Sequence, residues 1–168
     1  QVDMIPAGFW FHYKSDYTVQ QMIDEHMKLF RTTDMDIIKI MQDYPYPISG
    51  KITCADDWYH IQVKGTDSEE FAKMAEIIRG IRKEAGKDVL IFQTMFGPFK
   101  AASMIFGDDV LMKYSKEAPE AVVAGVKIIA DALEEWTKGY LEAGADGIYY
   151  SAQFGEIGRF EKNERSEE

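Results

Sequence analysis

Of the side chains here that could do chemistry, His12 and Asp43 come first. His12 closes an aromatic run, Phe9-Trp10-Phe11, and an imidazole there could act as a general acid or donate a hydrogen bond to a substrate. Asp43 follows the apolar run Ile37 to Met41, at the end of an expected strand. Lys39 stands between Ile38 and Ile40, where a lysine is costly unless paired, so it lines a cleft or marks an exposed edge. Gln93 shares a strand face with Met95, and alternation sends Tyr149 and Ser151 one way and Tyr150 and Ala152 the other, with Gln153 just beyond. These are the candidates for binding a substrate, together with Trp10, which could stack on a flat ligand although strand aromatics are more often core. His26 lies on an apolar helix face and reads as a packing residue, while His60 falls in a stretch with no clear element. Cys54 is the single cysteine, so an internal disulfide and a zinc site built on several cysteines are both excluded.

The elements that must position these groups alternate. Ala7 to Tyr13 reads as a buried opening strand. Asp16 or Thr18 then caps a helix whose apolar positions Val19, Met22, Ile23, His26, Leu29 and Phe30 fall on one face. Asp36 to Met41 is a second strand, ended by Tyr44-Pro45-Tyr46-Pro47. A long connection follows, with an extended stretch near Trp58 to Val63. Asp67-Ser68-Glu69-Glu70 opens a helix with apolar face Phe71, Met74, Ala75, Ile78 and Ile81, and Gly86 ends it. Asp88 to Met95 is a third strand, apolar enough for burial on both faces in a parallel sheet. Residues 100–115 are helix-rich, Pro119 starts a long helix that stops at Gly144, and Asp146 to Ala152 is a fourth strand. The order βαβαβαβ implies an α/β fold with right-handed parallel crossovers.

The chain has 168 residues, 46% apolar and 29% charged, which is a globular composition for one domain spanning 1–168. Nineteen basic against 29 acidic residues give a net charge of −10, so a phosphate backbone is repelled and nucleic acid is an unexpected partner. No apolar run approaches the length of a membrane span, and Gln1-Val2-Asp3-Met4 has neither part of a signal peptide. A reducing cytoplasm is therefore expected, and the missing initiator Met suggests that an upstream piece was removed or left out.

Three segments in this order resemble the uroporphyrinogen decarboxylase family, which includes the methylcobalamin:coenzyme M methyltransferases. They are Ile5-Pro6-Ala7-Gly8-Phe9-Trp10-Phe11-His12-Tyr13, Met35 to Tyr44, and Glu142-Ala143-Gly144-Ala145-Asp146-Gly147-Ile148-Tyr149-Tyr150-Ser151-Ala152-Gln153, with Phe96-Gly97-Pro98 as a further match. The resemblance implies a (β/α)8 TIM barrel of which this chain holds the first four β/α units, a partial barrel, since a whole barrel takes about 250 residues. It implies an active site at the C-terminal strand ends, where His12 would protonate and Asp43 would steady positive charge on the substrate. In the decarboxylases that substrate is a tetrapyrrole with acetate side chains and no cofactor is used. In the methyltransferases, zinc held by His and Cys from the second half of the barrel activates a thiol, and a corrinoid partner carries the methyl group. The decarboxylases carry an Arg-Gln-Ala-Gly-Arg stretch where this chain has Phe11-His12-Tyr13-Lys14-Ser15, so their carboxylate clamps are missing. A small-molecule substrate and a homo-oligomer, or pairing with a missing C-terminal half, complete the expectations. A non-catalytic half-barrel or truncated fragment that binds a partner or a tetrapyrrole is the competing one.

Overall fold

The computed structural model describes residues 6–153. Helix α1, Val19–Thr33, begins where the sequence directs it. The Thr18 hydroxyl accepts from the Gln21 N–H, the Gln21 side chain accepts from the Thr18 N–H, and Asp34 ends the helix in the left-handed region at φ 52°. Strand β1 is Ile37–Ile40, and the short strands β2, Ile48–Ser49, and β3, Gln62–Val63, flank a 3₁₀ helix at Ala55–His60. Helix α2, Glu69–Ala85, is capped by the Ser68 hydroxyl and stopped by Gly86 at φ 80°. Strand β4, Leu90–Phe96, leads to α3, Pro98–Phe106, α4, Asp108–Glu117, and the 24-residue α5, Pro119–Glu142. Strand β5, Gly147–Ser151, closes the described chain.

One sheet has the order β1-β4-β5, with β1 and β4 parallel in the register Ile37↔Leu90 to Ile40↔Gln93. The other is the antiparallel pair β2-β3. The α/β class and the parallel sheet expected from the sequence are present. Four strands of a barrel are not seen among the described residues, where the parallel sheet holds three.

The missing strand is the aromatic one. Residues 6–13 have no regular secondary structure, and Phe9, Trp10 and Phe11 are exposed rather than buried. The physical reason is where the backbone groups of this segment go. The Ala7 N–H donates to the Asp36 carboxylate (2.8 Å), the Asp36 N–H returns to the Ala7 carbonyl (3.0 Å), and the Tyr13 N–H donates to Asp43 (3.0 Å). Aspartate side chains flanking β1 thus hold the segment at two points in place of a ladder. It also runs close: a Cβ at Gly8 would stand 2.4 Å from an Ile37 side-chain carbon. The third strand differs too. Ile91, Gln93 and Met95 are buried, and on the other face Leu90 is exposed and Phe92 half-buried while Thr94 and Phe96 are buried, so β4 is open on one face at its start only. Near Trp58 the chain forms the 3₁₀ helix rather than an extended run, because the indole is fully buried and set edge-on against Phe106 and Tyr114.

The chain forms two compact units. The first comprises the described residues to Pro45, Thr66–Met95 and Trp136–Tyr149; the second comprises Tyr46–Gly65, Phe96–Glu135 and the described residues from Tyr150. In the first, α1 packs on α2 so tightly that a Cβ at Gly80 would meet Ile23 at 2.2 Å. The Phe71 and Tyr140 rings stack at 4.9 Å beneath Gly139. In the second, Trp58 packs against Gly125, and the Tyr114 hydroxyl donates to the Thr53 carbonyl. No helix among the described residues is long and apolar enough to cross a membrane.

His26 gives this core a pH dependence. Its Nδ1–H donates to the Met22 carbonyl at 2.7 Å, and its buried Nε2 has no partner among the described residues. Burial holds its pKa below the ordinary 6.5, against smaller opposing effects of that hydrogen bond and of the Asp43 charge. The unfolded chain therefore binds the proton more readily than the folded one. Stability is complete above about pH 6.5 and declines below it, by at most about 1.4 kcal/mol per pH unit from this group. Urea titrations between pH 6.5 and 5 are expected to show that decline, flattened in His26→Leu. An identical slope in the variant would assign the acid sensitivity to other residues.

Candidate functional site

Two groupings in the first unit bring chemically capable side chains together. The first forms where the 6–13 segment meets the stretch beyond β1. His12 Nδ1 and Asp43 Oδ1 are 2.8 Å apart, and the other Asp43 oxygen accepts from the Tyr13 N–H. The Asp43 side chain is 5% exposed and the His12 side chain 66% exposed, so a buried carboxylate orients an open imidazole. With Nδ1–H donating to Asp43, Nε2 is the nitrogen free to take or give a proton. Tyr13 stays a neutral phenol beside this pair: burial first, then the charges of Glu25 and Asp43, push its pKa up to about 12, and its hydroxyl donates to the Glu25 carbonyl.

The second grouping surrounds Lys39. The residue is only 7% exposed, and its ammonium lies 3.6 Å from the centre of the Trp10 ring and 3.5 Å from that of Tyr149. Burial lowers its pKa. Cation–π attraction to two rings offsets part of the lost hydration. Trp10 and Tyr149 are themselves about half exposed.

The remaining candidates fall elsewhere. Gln93 is fully buried, its amide donating to Gln42 Oε1 (3.2 Å) and to the Thr94 carbonyl (2.9 Å). Ser151 and Gln153 lie in the second unit, where the Gln153 amide donates to the Ser151 hydroxyl at 3.2 Å. Sequence reasoning missed Tyr13 and Gln42. Tyr13 acts on Asp43 through its backbone N–H, which no side-chain pattern reveals. Gln42 had a signal, a polar residue just past one buried strand, facing the polar Gln93 within another.

No three His, Cys, Asp or Glu side chains gather to hold a metal ion among the described residues. Cys54 is exposed, and His12 is engaged by Asp43. The residues present therefore do not fit a zinc site.

Comparison with known proteins agrees with this geometry at the level of fold. The family model for uroporphyrinogen decarboxylase matches residues 34–157. No curated protein matches the chain. Among solved structures, a methyltransferase from Methanosarcina mazei superposes with a TM-score of 0.66 at 16% sequence identity, over 88% of this chain and 54% of that one. The chain thus spans about half the length of the structure it matches.

Proposed function

The chain belongs to the uroporphyrinogen decarboxylase family, and on that premise we propose that it carries the acid–base part of a carboxy-lyase-like site. The observation behind this reading is the His12–Asp43 contact, an open imidazole fixed by a buried carboxylate. Loss of carbon dioxide from an electron-rich ring needs a proton delivered to a ring carbon and a proton supplied again after the C–C bond breaks. His12, as imidazolium, gives a proton from Nε2 to the ring carbon and is left neutral. After carbon dioxide leaves, a solvent proton taken up at Nε2 passes to the side-chain carbon. The neutral Nε2 then removes the first proton from the ring carbon, so that one proton is taken up in all. The Asp43 charge stabilises the imidazolium before each donation. The substrate is a small molecule. Arginine is missing from Phe11-His12-Tyr13-Lys14-Ser15, so a substrate with many carboxylates is held weakly.

That same lack of arginine favours a second reading, methyl transfer, and the Methanosarcina protein of similar fold is itself a methyltransferase. The zinc ligands and the corrinoid partner of such a reaction would both come from outside the described residues.

The test is carbon dioxide release from a pyrrole-acetate, an electron-rich flat ring with one carboxylate, with deuterium incorporation from heavy water read by mass spectrometry. His12→Gln is expected to lower both by about 10²-fold or more. Release equal to wild type in that variant, or none above buffer in wild type, would remove the carboxy-lyase reading and leave methyl transfer.

A further inference from the structure

Lysine is seldom buried without a carboxylate. Lys39 is buried, and the partners of its ammonium among the described residues are two aromatic faces, with no carboxylate and no hydrogen-bond acceptor. An ammonium carries three N–H donors, and π faces satisfy these less well than an anion does. The two rings are also mounted differently. Tyr149 stands on β5, within the sheet, whereas Trp10 lies on the segment without regular structure and is 47% exposed. The register partner of Lys39 on β4 is Phe92, whose ring lies 2.9 Å from where a Cβ at Gly147 would stand. Aromatic surface therefore flanks the cation on the sheet, and glycine at 147 leaves that ring its place.

We propose that Lys39 is the counter-charge for one carboxylate on a flat, conjugated ligand, and that Trp10 is the movable ring which this ligand displaces. Tyr149 remains as the fixed wall on which the ligand stacks. Lys39 is the one buried Lys or Arg among the described residues, and one cation in a chain of net charge −10 selects a monoanion over a polyanion. This names the substrate class for the site proposed above and rests on that reading for its catalytic meaning. Its test reads binding without turnover, so either can fail alone.

The probe is benzoate, with benzamide as the uncharged control of the same shape, followed by tryptophan fluorescence. Trp58 and Trp136 are fully buried, which makes Trp10 the indole that reports. Benzoate is expected to give a saturable change, lost in Trp10→Phe, with benzamide giving none. In Lys39→Met, folded by circular dichroism, benzoate affinity is expected to fall at least tenfold. Equal responses to benzoate and benzamide, undiminished binding in Lys39→Met, or no response at all would each overturn the proposal. A response that persists in Trp10→Phe would overturn the role of Trp10.

Discussion

Asp43→Asn is expected to lower turnover by about 10²–10⁴-fold, the range for losing an oriented general acid–base. The reason lies in tautomers. Asp43 accepts two hydrogen bonds, from the Tyr13 N–H and from His12. An asparagine must give its one oxygen to the Tyr13 N–H and so turns its NH₂ toward His12 Nδ1. That nitrogen then becomes an acceptor, the proton moves to Nε2, and the outward-facing nitrogen can no longer receive one. The side chain keeps its size, so the fold is expected to survive. His12→Gln should cause a similar loss, and the double variant little more, since the two residues act as a unit. Carbon dioxide release by the four proteins decides the matter. An Asp43→Asn enzyme within threefold of wild type, or losses that multiply in the double variant, would show that the contact is structural.

That contact marks the limit of what the sequence made legible. The helices were readable because their signals are local. Thr18 with Gln21, Ser68, Pro119 and the glycines at 86 and 144 each act within a few residues of the ends they define. The strands β1, β4 and β5 were readable as apolar runs. The opening segment was misread because its aromatic composition matches a strand, whereas its backbone partners are the side chains of Asp36 and Asp43, 29 and 30 residues away. His12 and Asp43 could each be picked out by residue type and position, but their pairing depends on this same tie. Lys39 was visible as an anomaly between isoleucines; that it would be enclosed by Trp10 and Tyr149 was not, since these lie on separate stretches of the chain.

The Gly144-Ala145-Asp146-Gly147 motif shows the same limit and leads to the largest expected effect on stability. In the sequence it is a common prelude to a strand. In the structure Asp146 is a latch. One carboxylate oxygen accepts from the Ile91 N–H at 2.7 Å and from the Arg82 guanidinium. Arg82 in turn donates to the carbonyls of Gly144 (3.0 Å), Gly86 and Val89 (both 2.8 Å). One guanidinium thus satisfies carbonyls at the end of α2, at the approach to β4 and at the approach to β5, and its fork geometry is what permits this. Arg82→Met keeps much of the hydrocarbon stem but takes this donor from three carbonyls and leaves the Asp146 carboxylate with the Ile91 N–H alone. The Arg82 side chain is 22% exposed, so water recovers part of the loss. The expected cost is about 2–4 kcal/mol, below that of breaking a fully buried pair, or roughly 5–15 °C in Tm for a chain of this size. Arg82→Lys should recover little, because a point charge cannot reach four acceptors at once. Urea unfolding of Arg82→Met, Asp146→Asn and the double variant measures the coupling directly. A cost under about 1 kcal/mol for Arg82→Met, or strict additivity in the cycle, would mean that the strands are held by the sheet ladder alone. A large coupling would mean that the motif fixes the start of β5 against β4, and so sets the position from which Tyr149 meets Lys39.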